Sequence, residues 1–269
     1  MNKPKIIYKY ESFSIQSLKN LKSQSVYFGS PLGFNDPYDC ALKASIKEPT
    51  DSELETYRNS YSERSDVSRE IQKQFKSANI SDLRKIIINS AISTIEKQTQ
   101  FFLKNRGVSC FSERNDSLLM WSHYGGQYKG FCLGFLTEFE PFIKMRRVKY
   151  TNIIPKFDAV KALLTDDFDQ IIDLFCTKSE SWSYEKEWRS IHEKVGTLYT
   201  YDATTLDSIY FGPDIDEQSL QIICLIIAGQ NSDVKFWRGK RSAEKFEVNF
   251  ERFTYTSHID AKRLGLIKL

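Results

Sequence analysis

Short runs of β-branched and aromatic residues alternate along this chain with longer stretches whose apolar residues recur every three or four positions. That alternation restricts the chain to a sheet packed with helices. Strands are expected at 6–10, 26–28, 108–111, 130–135, 147–150, 208–213, 234–237 and 246–255. Helices are expected after Ser14 (Ile15, Leu18, Leu21), over 50–100, through MWSHY, across 155–175 and around 220–227 with Gly229 as the stop. The 50–100 stretch opens with Thr50 and Glu53 in capping-box spacing. Its second half places Leu83, Ile87, Ala91 and Ile95 in a stripe, and Arg106-Gly107 ends it. Asn115-Asp116 and Gly125-Gly126 bracket the MWSHY helix. From 155 to 175, Phe157, Val160, Leu164, Phe168, Ile171 and Phe175 keep helical spacing, which reads as one helix. No repeat or linker interrupts the pattern. The 269 residues are expected to form one α+β domain, 1–269, with a helical insertion at about 50–106.

Charge and cysteine usage narrow the function. A net charge of +3, from 38 basic and 35 acidic residues, gives no global field of the kind a dedicated nucleic-acid binder needs. The one basic stretch with interleaved aromatics, Lys235-Phe-Trp-Arg-Gly-Lys-Arg241, reads as a single-strand nucleic-acid contact or as a solvated edge strand. MNKPKIIYKY carries no apolar leader, and no run approaches the roughly 20 apolar residues of a membrane helix. A cytoplasmic protein without a membrane partner is expected. Cys40, Cys110, Cys132, Cys176 and Cys224 are scattered, odd in number and without a CxxC pair, which argues for reduced thiols and against zinc. Glycine-rich phosphate loops of the Rossmann or Walker kind are missing.

Three segments carry candidate chemistry. In Trp182-Ser-Tyr-Glu-Lys-Glu-Trp-Arg189, strand alternation would put Glu185, Glu187 and Arg189 on one face and Tyr184, Lys186 and Trp188 on the other. Two such carboxylates can divide roles, one steadying an electron-deficient centre and one managing protons. The plainer reading is a solvated face with an Arg–carboxylate pair. In the second segment, strand, short helix and strand bring Ser112, Trp121, Ser122, His123 and Tyr124 into one neighbourhood. A nucleophile dyad of Cys110 or Cys132 with His123 lacks any thiol-protease signature around it. The third, Phe34-Asn-Asp-Pro-Tyr-Asp39, is either a turn held by its own side chains or a ligand-facing loop through Asn35 and Asp36.

The order IYKY, YFGSPLGFNDPYDC, GVSCFSERNDSLLMWSHYGGQYKGFCLGF, VKY, WSYEKEWR and IYFGPDI resembles a bacterial family of unknown function, the domain family numbered 2971. The strand IIYKY, the helix with Leu18-Lys-Asn-Leu21, the strand VYFGS and a late Glu-x-Glu are also similar to the ADP-ribosyltransferase fold. That second resemblance implies mixed and antiparallel sheets with helical insertions around a nicotinamide-ribose site, with NAD as substrate. It implies Tyr8, Lys9 or Tyr10 at the first-strand position, where that fold carries His or Arg, then Ser30 or Tyr124, then Glu187 or Glu185. Trp121 or Tyr124 would stack on the nicotinamide, and Arg189 would hold Glu187 or meet a phosphate. The enzyme so implied would be a toxin or phage-defence effector acting on a nucleic-acid or protein acceptor, with an antitoxin protein as partner. Two other classes compete: a non-catalytic interaction module, and a metal-dependent nuclease or hydrolase using Asp36, Asp39, Glu185 and Glu187.

Overall fold

The computed structural model describes residues 3–41, 45–167 and 169–265. The chain divides into two compact units, one of residues 1–29, 107–148 and 181–269, the other of residues 30–106 and 149–180. The helical insertion expected at about 50–106 thus belongs to a unit that also takes in 30–49 and 149–180.

The first unit is built on a mixed sheet with eight strands among the described residues. They are β1 (Ile6–Glu11), β2 (Gly107–Ser112), β3 (Phe131–Leu136), β4 (Arg146–Arg147), β5 (Glu187–His192), β6 (Leu206–Phe211), β7 (Lys235–Arg241) and β8 (Val248–Phe253). Their order is β8-β7-β6-β3-β1-β2-β5-β4, and all neighbours are antiparallel except β6 and β7. Period-two alternation gives the sheet two unlike faces. Ile7, Phe111, Leu133, Phe135, Trp188, Ile209 and Phe211 point to one side and join the main apolar core. The helices Ile15–Lys22 and Glu217–Ala228 close that side with Leu21, Leu220, Ile223 and Ile227. Each such burial contributes about 1.5–3 kcal/mol. The first helix is nucleated by Ser14, whose hydroxyl accepts from the Ser17 N–H in a capping box. The other side carries Tyr10, Cys132 and Tyr210, packed on Met120 and Trp121 of the short helix Leu118–His123.

The second unit is mainly helical: Asp51–Ser62, Arg69–Ser77, Ile80–Asn105, Ala159–Thr165 and Asp169–Phe175. The expected capping box is present, with Thr50 and Glu53 each satisfying the other's backbone N–H. Between 155 and 175 the single expected helix is two, preceded by the strand Lys156–Phe157. Asp158 caps the first and Asp166, at φ 53°, ends it. Both helices bury one side of the same apolar pattern, which is why the spacing alone does not reveal the break; Phe168, counted in that pattern, lies outside the described residues. No helix among the described residues is long and apolar enough to cross a membrane. The five cysteines are thiols.

Candidate functional site on the polar face of the sheet

Strand register brings the first and last candidates together. Tyr8 on β1 pairs with Ser112 on β2 and with Gly134 on β3, and Ser112 pairs with Glu187 on β5. Directly paired residues project from the same face, so Tyr8, Ser112 and Glu187 form one row across three adjacent strands. At about 4.8 Å per strand, the backbones of Tyr8 and Glu187 lie roughly 10 Å apart. Two residues further along β5, Arg189 returns to that face, opposite Cys110 and Arg146.

Arg189 and Glu187 form a fork. The guanidinium Nε donates to Glu187 Oε1 at 2.7 Å and an NH2 nitrogen donates to Oε2 at 3.0 Å. Their side chains are 0% and 5% exposed. A bidentate pair at such depth is among the stronger charge-assisted contacts, and it fixes the direction of the carboxylate. Removing both charges from water is costly, and a well-packed apolar pair is often at least as stable. The pair therefore serves orientation more than net stability.

Glu185 reaches the same region by a different route. Residues 182–189 do not form one strand: Glu180–Glu185 is a 3-10 turn, and Lys186 adopts φ 46° before β5 starts at Glu187. Contacts from distant chain impose this. The Ser112 hydroxyl donates to the Glu185 carbonyl at 2.6 Å and accepts from the Arg114 N–H at 3.1 Å, while the Glu113 N–H donates to the Lys186 carbonyl at 3.0 Å. Strand alternation for Glu185 and Lys186 is thereby overturned. The buried Glu185 side chain instead accepts from the Tyr124 hydroxyl, 2.6 Å from its Oε1. Tyr124 is the C-cap of Leu118–His123, whose N-cap is Ser117 rather than Asn115 or Asp116. After it, Gly126, Gln127 and Tyr128 all take positive φ, and a Cβ at Gly130 would stand 2.1 Å from the Glu11 carbonyl oxygen. The GGQYKG segment is thus a tight corner in which Gly130 lets two backbones meet. Beside Glu185, the rings of His123, Tyr184 and Trp182 follow one another at 6.1 Å centroid spacing.

The remaining first-strand candidates separate. Tyr8 is half-buried on the polar face with its ring edge on Tyr210 at 5.6 Å. Burial, and then the neighbouring Tyr210, pushes its phenol well above the ordinary tyrosine range, so it stays a hydrogen-bond donor. Tyr10 is buried, donates to the Arg114 carbonyl at 2.9 Å and packs edge-on against Trp121. Lys9 faces the apolar side, with its Nζ 5.3 Å from the Phe111 ring centre and 3.8 Å from Glu11. Trp121 is fully buried, donates from its indole to the Asn115 carbonyl at 2.7 Å and touches Tyr10 and Phe250. It is a packing residue with no face open for stacking. Burial also drives the Cys132 thiol well above its usual range, opposite to what a nucleophile needs.

Ser30, Asn35 and Asp36 belong to the helical unit. Ser30 caps the 3-10 turn Pro31–Gly33, Asp36 accepts from the Tyr38 N–H at 2.9 Å, and Asn35 is exposed. The Asp39 carboxylate meets Lys178 at 3.3 Å, both almost wholly buried. Among the described residues no group of three or more His, Cys, Asp or Glu side chains is placed to hold a metal ion. In Lys235–Arg241 each cation has an acid partner: Lys235 with Asp207, Arg238 with Glu217, Lys240 with Glu251 and Arg241 with Asp214. Its positive charge is balanced locally.

Sequence reasoning passed over Ser208 and Tyr210, and read Trp237 only as part of the basic stretch 235–241. Ser208 and Tyr210 pair with Gly134 and Cys132, and Tyr210 with Trp237, so all three share the polar face. Tyr210 and Trp237 stack at 5.9 Å and 11°, and the buried Trp237 indole N–H has no acceptor among the described residues. The alternation in SIYFG held the signal.

A family model described as a protein of unknown function, DUF2971, matches residues 120–190. That span holds Tyr124, Glu185, Glu187 and Arg189. No curated protein and no solved structure matches the chain.

Proposed function

We propose that the chain is an NAD-consuming, ADP-ribosyltransferase-like enzyme that takes the nicotinamide ribose on the polar face of its sheet, with Glu187 as catalytic carboxylate. The observation that most supports this reading is the in-register row of Tyr8, Ser112 and Glu187. It sets a phenol of the opening strand and a late, buried carboxylate on one surface. Cleavage breaks the bond between the ribose anomeric carbon and the nicotinamide nitrogen, and the electron pair leaves with nicotinamide. Positive charge develops on the sugar, so a carboxylate bonded to a ribose hydroxyl stabilises the transition state more than the ground state. Arg189 acts as a positioning residue that keeps Glu187 aimed. In this reading Glu185, hydrogen-bonded by Tyr124, accepts the proton the incoming nucleophile loses when it bonds to the anomeric carbon.

Release of nicotinamide from NAD tests the reading. Glu187→Gln keeps the side chain's shape and one acceptor for Arg189, and its rate is expected to fall by about 100-fold or more, as when one preorganised stabiliser is lost. Turnover equal to wild type would refute the role of Glu187. The closed Arg189–Glu187 fork also favours a second reading, a non-catalytic interaction module in which the pair only holds the sheet. That reading expects neither NAD binding nor nicotinamide release from the wild-type protein.

A further inference from the structure

We propose that the helical unit contains a binding site for a small uncharged hydrophobic molecule, about the size of one aromatic ring with short alkyl substituents. The space is a pocket of about 190 Å³, partly open to solvent, walled by the rings of Tyr57, Phe75 and Phe157 and by aliphatic side chains. It arises because small residues line two of the bordering helices: Ser90, Ala91 and Thr94 on Ile80–Asn105, and Ala159 and Ala162 on Ala159–Thr165. Large residues at those positions would interdigitate and close it.

Protein interiors are close-packed, and voids larger than a water molecule are few. A closed apolar hole of roughly 150 Å³ takes up benzene, so the volume of this partly open pocket suffices for a substituted ring. No charged side chain lines it, which selects an uncharged ligand, because a buried charge without a partner is strongly disfavoured. Ser90 and Thr94, one helical turn apart, are exposed and set hydroxyls at the rim for any polar substituent. A helix, about 10 Å across with its side chains, is too wide for the cavity, so a small molecule fits where a protein segment does not. The site shares no residue with the polar face of the sheet and stands whether or not the chain turns over NAD.

The test uses the full chain with p-xylene near its aqueous solubility. Melting temperature should rise by about 2–4 °C, as expected for a ligand that binds only the folded state, and saturation transfer should pass from protein to p-xylene. Ala91→Trp fills the space and should abolish both signals with circular dichroism unchanged. If that variant fails to fold, Ser90→Leu, at the exposed rim, takes its place. No melting shift and no transfer with the wild-type protein, or both persisting in a folded, filled variant, would overturn the assignment.

Discussion

The two faces of the eight-stranded sheet are built from the same strands yet solve burial differently. On one face Ile7, Phe111, Phe135, Trp188 and Phe211 close against helices with mainly apolar surface. On the other the chain buries two carboxylates, a guanidinium and a serine hydroxyl. Apolar packing needs no partner geometry, whereas each polar group needs a directed contact to offset its lost hydration. A sheet can cover both sides with leucine and phenylalanine; under the proposed function, Glu187, Arg189 and Ser112 are kept on this face for a ligand.

The largest expected effect breaks the fork. Arg189→Ala leaves Glu187 buried and uncompensated and should cost about 3–5 kcal/mol in urea denaturation. That is as much as Phe135→Ala on the opposite face, at about 3–5 kcal/mol. A loss under about 1 kcal/mol would show that the pair is solvated in solution. The sharper form replaces both partners. Glu187→Leu with Arg189→Met should restore stability to within about 1–2 kcal/mol of wild type while nicotinamide release stays lost. A double variant that regains turnover would contradict the functional meaning given to the polar face.

A smaller effect belongs to Ser112. Its alanine variant leaves the Glu185 carbonyl without its donor and should cost about 1–3 kcal/mol. Amide exchange at 183–187 should quicken with it; unchanged exchange there would mean the turn holds itself. The smallest lies on the apolar side, where Glu11, opposed by Lys9, has its carboxyl raised above the usual 4.5 by burial. A carboxyl raised on folding binds protons more tightly in the native state, so stability falls as pH climbs from about 4.5 through the folded value. Glu11→Gln should therefore match wild type in acid and exceed it at neutral pH. Melting curves for the two proteins that run parallel from pH 4 to 7 would remove Glu11 as the cause.

The same contrast explains what the amino-acid sequence discloses. Apolar alternation makes Ile7, Phe111 and Phe135 readable as core, and i, i+2 spacing makes Glu187 and Arg189 readable as neighbours on one side. The turn at Glu185 and Lys186 is not readable locally, because it is imposed by Ser112, 73 positions away. The basic stretch at 235–241 misleads for a related reason: Asp207, Asp214, Glu217 and Glu251 neutralise it from other elements. Which of Tyr8, Lys9 and Tyr10 shares a row with Ser112 and Glu187 is fixed by strand register, which periodicity along one strand does not carry. The fold class was legible from local pattern. The site was legible only as a set of residue types, since its geometry depends on pairings between segments distant in sequence.

Amide hydrogen exchange of the wild-type protein with and without saturating NAD addresses the central claim directly. Protection should appear on the strands carrying Tyr8, Ser112 and Glu187 and on the 180–186 turn, with the helices Ile15–Lys22 and Glu217–Ala228 unchanged. Protection confined to those two helices, or none anywhere, would contradict the assignment of function to the polar face.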